Sequence, residues 1–179
     1  MGEMGMAILD GPVAEVATIS DFTTLLRRNQ GMVFSIVLHY NQDRAVAEEV
    51  AQEVFLQLYR HLDRLESDEH VAAWLRRTAA HRAIDEARKR KVRPQVALED
   101  GPEPSTPASE SDPLLQERLR RLIASLPEKP RMVMIMRYQE DLMPEEIAAT
   151  LSMPVRTVKS HLQRSLALLR RKIRGDEHE

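Results

Sequence analysis

The chain has 179 residues, of which 42% are hydrophobic and 30% charged, with a formal net charge of −2 and no cysteine. The lack of cysteine excludes disulfide bonds and thiolate metal sites, which fits a reducing cytoplasm. No apolar run resembles a signal peptide or reaches the length of a membrane span, and helix-forming residues dominate. We therefore predict an all-α cytoplasmic protein that does not insert into a membrane.

The first part of the chain has the periodicity of three helices. Residues 1–21 form a leader without a clear period, and residues 22–91 follow as a helical unit. Apolar periodicity predicts its helices over 22–40, 44–62 and 71–91, with a polar connection over 63–70. A unit of roughly 70 residues is large enough to fold alone.

A proline-rich acidic segment separates this unit from the rest of the chain. Residues 92–113 contain five of the ten prolines and carry a net charge of −4. This composition predicts a flexible acidic linker. Helical periodicity resumes over 114–174, and residues 175–179 make an acidic tail. The first helix of this second unit is predicted from the period of Leu115, Leu119, Leu122, Ile123 and Leu126. The predicted architecture is two small helical domains joined by a flexible acidic Pro-rich linker.

The small net charge conceals a strongly basic second domain. Residues 114–174 contain 13 Lys and Arg against 6 Asp and Glu, a net charge of +7, whereas residues 22–91 carry a net charge of +2. A basic domain of this kind is typical of proteins that bind nucleic acid.

Residues 143–164 have the pattern of a helix-turn-helix. Ile147, Ala148 and Leu151 make an apolar stripe on a first short helix, and a two-residue turn follows. Pro154 can open the second helix, because the first helical position needs no backbone donor. With Val158 facing inward, the outward residues are Arg156, Thr157, Lys159, Ser160, Gln163 and Arg164. Such a helix can enter the DNA major groove, so we predict DNA binding.

The third predicted helix of the first domain is rich in basic residues. Candidate contacts to DNA phosphates and bases are Arg76, Arg77, His81, Arg82, Arg88 and Lys89. A basic end to a helix is also favoured by the helix dipole alone, so an ordinary solvated face stays open. Trp74 at the start of this segment is either a core anchor or a platform for base stacking.

The second predicted helix has an acidic outward face. Its polar residues are Glu48, Glu49, Gln52 and Glu53, opposite an apolar stripe that steps by four residues. Two interpretations stay open at this point. The face is either solvated, its acids favoured by the helix dipole, or it docks a basic partner.

Sequence motifs for enzymatic chemistry are lacking. We find no P-loop, no Gly-rich dinucleotide turn, no nucleophile elbow and no HExxH, and the six histidines do not form a metal-ligand set. We therefore predict a protein that is not an enzyme, without catalytic residues, cofactor or metal.

Three segments of the chain have motifs of a known family. AEEVAQEVFLQLYRHL, at 47–62, is similar to an A-E-D-x-x-Q-[DE]-x-F-L segment, and WLRRTAAHRAIDEARKRK, at 74–91, resembles a W-L-x-x-I-A-x-N-x-x-x-D-x-x-R-[RK] segment. These motifs resemble those of the extracytoplasmic-function (ECF) group of bacterial RNA polymerase sigma factors. The stretch from LPEKPRMVMIMRYQ to VKSHLQRSLALLR, at 126–170, resembles that family's region 4 almost end to end.

The resemblance implies a role for each surface. Region 2, at 22–91, would dock the acidic helix on the clamp helices of the largest catalytic subunit of core RNA polymerase. Its basic helix would then open and read the promoter −10 element. Region 4, at 114–174, would read the −35 element, with Arg156, Lys159 and Arg164 as leading contacts. The acidic linker, including Glu99, would run towards the polymerase active site, and an anti-sigma factor would hold the protein inactive.

The sequence departs from the family pattern at several positions. His81 stands where the family usually has Asn, and His161 replaces a frequent Arg. Ser152 and Arg156 replace frequent glycines. Met143-Pro144 replaces the usual start of the first short helix and lacks a capping oxygen. We expect these changes to alter the promoter sequence that is read, since the inward stripe is intact.

An alternative hypothesis is a polymerase-independent helix-turn-helix transcription regulator. The segment from Arg156 onwards would suit either protein. A regulator with a receiver domain would need alternating strands and a phosphoacceptor Asp in the first half, where the sequence predicts helices instead. An adaptor without a DNA role is a third hypothesis, which the clustering of Lys and Arg argues against.

Overall fold

A computed structural model describes residues 21–92 and 113–174 of the chain. These residues form seven α-helices and one short 3-10 helix, and the described ranges contain no strand. The α-helices are α1 (Phe22–Asn41), α2 (Arg44–His61), α3 (Asp68–Val92), α4 (Pro113–Ala124), α5 (Glu128–Tyr138), α6 (Pro144–Leu151) and α7 (Val155–Arg174). The all-α prediction is confirmed. The predicted leader, linker (with Glu99) and acidic tail lie almost wholly outside the described residues.

The first two helices begin where aspartates can cap them. The side chain of Asp21 accepts a hydrogen bond from the Thr24 amide at 3.1 Å, and that of Asp43 accepts one from the Val46 amide at 3.0 Å. Each bond satisfies an amide that has no partner within the helix. Gln42 then ends α1 in a left-handed conformation with φ of 57°. The predicted starts of both helices agree with the structure.

The third helix begins three residues earlier than the sequence pattern predicts. The Ser67 hydroxyl accepts a hydrogen bond from the His70 amide at 3.1 Å, so the helix starts at Asp68 rather than Val71. Asp68 and Glu69 lie in the first turn, where carboxylates favour the helix dipole. The predicted polar connection over 63–70 therefore shrinks to a short 3-10 helix, Leu62–Arg64, and a few linking residues.

The carboxyl-terminal helices also depart from the prediction at one turn. Leu126 was expected to extend the first helix of this unit, but α4 ends at Ala124 and Leu126 lies buried in the turn before Pro127. Leu126 packs there with Met134 and Leu169 in a small second cluster. This cluster holds α4 against α5 and α7.

The main hydrophobic core runs through both helical units. Helix α1 packs on α2 and α3, and it also contacts α5, while α3 contacts α6. The fully buried side chains of this core come from both units and include Leu25, Ile36, Tyr40, Leu75, Met132, Met136 and Ile147. The amino-terminal unit (α1–α3) and the carboxyl-terminal unit (α4–α7) are therefore packed against each other in this structure.

Candidate nucleic-acid and polymerase interfaces

Helices α6 and α7 form the helix-turn-helix, and α7 turns its polar face outward. Ile147 and Val158 are fully buried between the two helices. Four of the residues predicted to read DNA are exposed, and Thr157 and Ser160 are half-buried. The exposed four are Arg156, Lys159, Gln163 and Arg164. The structure thus brings all six predicted residues onto one helix, with its apolar side held by the core.

Backbone geometry at the turn fixes the angle between these two helices. Ser152 ends α6 in a left-handed conformation with φ of 51°, which favours glycine. The Pro154 carbonyl accepts hydrogen bonds from the Thr157 amide at 2.9 Å and the Val158 amide at 3.1 Å. Pro154 therefore precedes the helix, which begins at Val155, one residue later than predicted.

The start of α6 compensates for the missing capping oxygen of Met143. The Glu146 carboxylate accepts a hydrogen bond from the Met143 amide at 2.7 Å, which is the reciprocal half of a capping box. Pro144 occupies the first turn, where no amide donor is needed. The departure at residues 143–144 is thus accommodated within the fold.

Two side chains near the outward face of α7 have nearby electrostatic partners. Lys159 Nζ lies 3.2 Å from the Glu145 carboxylate of α6, with both side chains 60% exposed, so water and salt weaken this pair. Burial lowers the pKa of His161, and the nearby positive charges of Arg164 and Lys129 lower it further. His161 is therefore a neutral ring at neutral pH, unlike the Arg that it replaces.

Several basic residues of α3 form ion pairs with acidic residues of the same domain. Arg82 pairs with Glu53 of α2, and Lys89 Nζ lies 3.4 Å from the Glu86 carboxylate. His81 is exposed, and Arg76 is half-buried. Only part of the predicted basic face is therefore open to solvent.

Arg77 and Arg88 of α3 reach the carboxyl-terminal unit. Arg77 Nη2 donates a hydrogen bond to the Ala149 carbonyl of α6 at 2.7 Å. Arg88 donates two hydrogen bonds to one carboxylate oxygen of Glu128 in α5, at 2.9 and 3.1 Å. Hydrogen bonding to Arg88 lowers the pKa of Glu128, so this carboxylate is ionised at neutral pH.

Trp74 lies at the edge of the core rather than on the surface. It is half-buried and packs against the main hydrophobic core. Its ring stacks on His61, with centroids 5.9 Å apart and an interplanar angle of 30°. The structure favours the core-anchor interpretation of Trp74.

The outward face of α2 contains the four residues predicted to bind polymerase. Glu48, Glu49 and Gln52 are exposed, and Glu48 also accepts a hydrogen bond from Arg44 one turn earlier, at 2.9 Å. Glu53 is half-buried and tied to Arg82 of α3. Three of the four side chains are therefore presented outward, while Glu53 also links two helices of the unit.

Two exposed apolar residues extend this face, and the sequence reasoning missed them. Leu56 is 58% exposed and Tyr59 is 68% exposed, one and two turns beyond Gln52. The Tyr59 ring meets that of Phe22 edge to face, with centroids 5.4 Å apart. Leu56 and Tyr59 are apolar residues that lie outside the inward apolar stripe of α2. Their position in the helical period could have indicated from the sequence that they are exposed.

Comparison with known proteins identifies both units. The family model for Sigma-70 region 2 matches residues 25–93, and the model for Sigma-70, region 4 matches residues 116–169. These two matches define the chain as a sigma-70-type protein that combines regions 2 and 4.

Curated relatives specify the group. The chain is 32% identical over 165 residues to the ECF RNA polymerase sigma-E factor of Escherichia coli (strain K12), which covers 85% of this chain and 86% of the relative. It is 30% identical over 145 residues to the ECF RNA polymerase sigma factor SigW of Bacillus subtilis (strain 168), covering 72% and 75% of the two chains. The chain belongs to the family of ECF RNA polymerase sigma factors, which direct promoter-specific transcription initiation. This confirms the predicted function, and the polymerase-independent regulator is not favoured.

Solved structures share the fold at low sequence identity. The RpoE sigma factor of Bartonella quintana, in complex with the anti-sigma factor NepR, superimposes with a TM-score of 0.69 at 17% identity. That match covers 89% of this chain and 100% of the other. CnrH in complex with the cytosolic domain of CnrY gives a TM-score of 0.64 at 19% identity, covering 87% and 89%.

None of the helices in the described ranges combines the length and apolarity that a membrane crossing requires. The same residues contain no group of three or more His, Asp or Glu side chains placed to hold a metal ion.

Proposed function

We propose that the two units divide promoter recognition, with α2 docking on core RNA polymerase, α3 opening and reading the −10 element and α7 reading the −35 element. The observation that supports this division most strongly is the geometry of α7. Its apolar side is buried against α5 and α6, while Arg156, Lys159, Gln163 and Arg164 are exposed along the opposite side.

The proposed −35 contacts follow from the chemistry of the major groove. Arginine and lysine pair with guanine more often than with any other base, and a good pair is worth about 1–3 kcal/mol of discrimination. Arg156 lies in the first turn of α7, the part of a recognition helix that usually enters deepest. We therefore assign Arg156 the leading role, with Lys159 and Arg164 beside it.

The proposed −10 surface is the face of α3 that contains His81. Opening a promoter takes bases out of the stack, and phosphate contacts help to recover that free energy. Arg76, Arg77, Arg82, Arg88 and Lys89 lie along the same helix and supply positive charge. His81 is exposed, so its ring is available to a base at the position where the family usually has Asn.

The proposed polymerase surface combines acidic, amide and apolar groups on α2. Glu48, Glu49 and Gln52 face outward, and Leu56 and Tyr59 continue the same stripe. An exposed apolar pair beside polar groups is typical of the centre of a protein interface. We assign this stripe to the clamp helices of the largest polymerase subunit.

An anti-sigma factor is the further partner that we propose. Both similar structures were solved with a partner protein, one of them the anti-sigma factor NepR. In this chain α4, α5 and α7 border a groove of about 600 Å³ lined mainly by apolar side chains. Leu119 and Ile173 are exposed at its edge, which supports binding of an apolar helix.

Run-off transcription with purified core polymerase tests the proposed function. The chain should start RNA at a cognate promoter, and the Glu49→Lys variant should lose most of this activity together with core binding in a pull-down. Glu117→Lys is the matched control, because it makes the same charge change in α4, where Glu117 pairs with arginines of its own helix. Failure of the unaltered chain to bind core polymerase would refute the proposal.

A further inference from the structure

Lys159, one of the residues assigned to the −35 element, is joined to the first helix of the helix-turn-helix. Its Nζ lies 3.2 Å from Oε1 of Glu145, which belongs to the first turn of α6. Both side chains are 60% exposed. Because Lys159 shares its helix face with Arg156 and Gln163, the ion pair lies on the same surface as the other proposed DNA contacts.

The first turn of α6 contains two acids with different partners. Glu146 accepts a hydrogen bond from the Met143 amide at 2.7 Å and so caps its own helix. Glu145 instead pairs with Lys159 of the recognition helix. Hydrogen bonding to its own backbone amide, and then to Lys159, lowers the pKa of Glu145. The Glu145 carboxylate is therefore ionised at neutral pH and acts only as a hydrogen-bond acceptor.

A carboxylate is an unusual neighbour for the exposed cations of a surface that meets DNA. Arg156, Lys159 and Arg164 are attracted to phosphates, whereas Glu145 is repelled by them. DNA offers a carboxylate a favourable contact at the amino groups of cytosine and adenine, which are hydrogen-bond donors in the major groove. The chemistry of Glu145 therefore suits a base edge and not the backbone.

The spacing within this ion pair matches the spacing within one base pair. In a G·C pair the guanine O6 acceptor and the cytosine N4 donor are hydrogen-bonded to each other, so these two atoms are about 3 Å apart. The Lys159 Nζ and the Glu145 Oε1 are 3.2 Å apart. Lys159 can thus donate to guanine O6 while Glu145 accepts from the N4 amino group of the paired cytosine.

The other three base pairs match this donor and acceptor less well. A reversed C·G pair places its amino group against the Lys159 ammonium and its O6 against the Glu145 carboxylate, so both contacts become repulsive. An A·T pair in the same sense as C·G has the same mismatch. A T·A pair presents its acceptor and donor in the matching order, but the thymine methyl lies beside the first and the adenine N7 acceptor beside the second.

From these observations we propose that Glu145 is a specificity-determining residue of the −35 surface, which together with Lys159 reads the major-groove edge of one G·C pair with guanine on the lysine side. This role rests on the proposed function, because it takes α7 as the reader of the −35 element. It adds a residue of α6 to the contacts of α7 and fixes the orientation of the base pair that Lys159 reads.

Selection from a library of DNA duplexes tests this role with the full chain. The library is randomised over about one helical turn, roughly ten base pairs. The natural chain should enrich G·C over C·G at one position by about fivefold or more. Glu145→Ala should lose most of this preference and keep the preferences at other positions. Lys159→Ala should alter base choice at the same position, and the effects of the two substitutions there should not be additive, because the two side chains act together.

Glu69→Ala is the matched control for the loss of charge. Glu69 is an exposed acid in the first turn of α3, so its substitution removes the same charge from the same part of a helix. This variant should enrich the same sequences as the natural chain. If Glu145→Ala weakens binding to all sequences equally, the ion pair is only structural and the proposed role is wrong.

The same selection separates two kinds of failure. If the natural chain enriches a sequence and Glu145→Ala enriches it equally, the role of Glu145 is refuted while the −35 role of α7 stands. If the natural chain enriches no sequence, the −35 role of α7 is refuted, and the role of Glu145 with it.

Discussion

Arg131 of α5 stacks its guanidinium on the ring of Tyr40 in α1, with the guanidinium carbon 4.7 Å from the ring centroid. Burial raises the pKa of the Tyr40 hydroxyl to about 12. Burial also lowers the pKa of Arg131 below its usual range. Near neutral pH the ring is uncharged and the guanidinium is charged, which is the combination that a cation–π contact requires.

A double-mutant cycle should measure this contact. Tyr40→Leu and Arg131→Ala should show a coupling free energy of about 1–2 kcal/mol in urea unfolding, because the pair is largely desolvated. Tyr40→Phe keeps the ring and should retain most of the coupling with Arg131. Additive effects of Tyr40→Leu and Arg131→Ala would show that the two side chains contribute independently.

Ser152→Gly should stabilise the helix-turn-helix. Ser152 has φ of 51°, a conformation that costs a residue with a Cβ about 1–2 kcal/mol and glycine very little. After the greater flexibility of glycine in the unfolded chain is included, we expect a gain of about 0.5–1 kcal/mol in the free energy of unfolding. Thermal unfolding followed by circular dichroism measures it.

The control for this substitution is Ser125→Gly. The backbone of Ser125 does not have a positive φ, so glycine relieves no strain there. Its hydroxyl also donates to the Leu122 carbonyl at 2.7 Å, a hydrogen bond that glycine would remove. A similar rise in Tm for both variants would contradict the role given to the Ser152 backbone.

The helices could be predicted from the sequence because the signals for them are local. Capping by Asp21 and Asp43 and a continuous apolar period bring the predicted starts of α1 and α2 into agreement with the structure. The sequence also contains the residue that caps α3, Ser67, but the polar residues that follow it have the composition of a loop, so the predicted start of the helix was too late. Leu126 kept the helical period although the chain turns there before Pro127.

The packing of one unit on the other could not be predicted in the same way. Tyr40 and Arg131 are 91 positions apart, and neither is unusual in its own helix. The contact of Arg88 with Glu128 likewise joins an ordinary basic helix end to an ordinary first-turn acid. Pairings of this kind depend on three-dimensional complementarity, which helical periodicity does not encode.

Glu140 should make stability depend on pH. Burial raises the pKa of this carboxyl above its ordinary value of 4.5, although the Ser35 hydroxyl and the charges of Arg76 and His39 act in the opposite direction. A raised acid pKa means that the folded chain binds the proton more tightly than the unfolded chain does. Its contribution is therefore fully present below pH 4.5 and is lost as pH rises through the folded pKa.

Glu140→Gln removes this dependence in a measurable way. The free energy of unfolding of the variant should decline less than that of the natural chain as the pH rises above 4.5. Glu128→Gln should act below pH 4.5 instead. Arg88 lowers the Glu128 pKa, so the natural chain loses stability as the pH falls from 4.5 through the folded pKa, and the variant should lose less. Parallel pH profiles for both variants and the natural chain would argue against these assignments.

Substitutions at Glu49 and Glu53 should affect polymerase binding and folding stability differently. Glu53 pairs with half-buried Arg82, whose Nε is buried without a hydrogen-bond partner, so Glu53→Gln should lower the free energy of unfolding by about 1 kcal/mol. Glu49 is exposed, so Glu49→Gln should change stability by less than about 0.5 kcal/mol yet weaken core binding. Urea unfolding and a polymerase pull-down give the two measurements. Equal loss of stability in both variants would mean that the pairing of Glu53 with Arg82 contributes little.

Arg156→Ala should relax the choice of −35 sequence. Because Arg156 is exposed in the first turn of α7, its loss should cost about 1–3 kcal/mol at one promoter position and little on mismatched DNA. Arg171→Ala is the matched control. Arg171 is exposed in the last turn of the same helix, and its substitution removes the same charge. Arg171→Ala should weaken binding to all sequences alike, mainly through salt-dependent affinity. Binding of both variants to a set of −35 duplexes at two salt concentrations distinguishes the two effects, and unchanged preference in Arg156→Ala would refute the orientation assigned to α7.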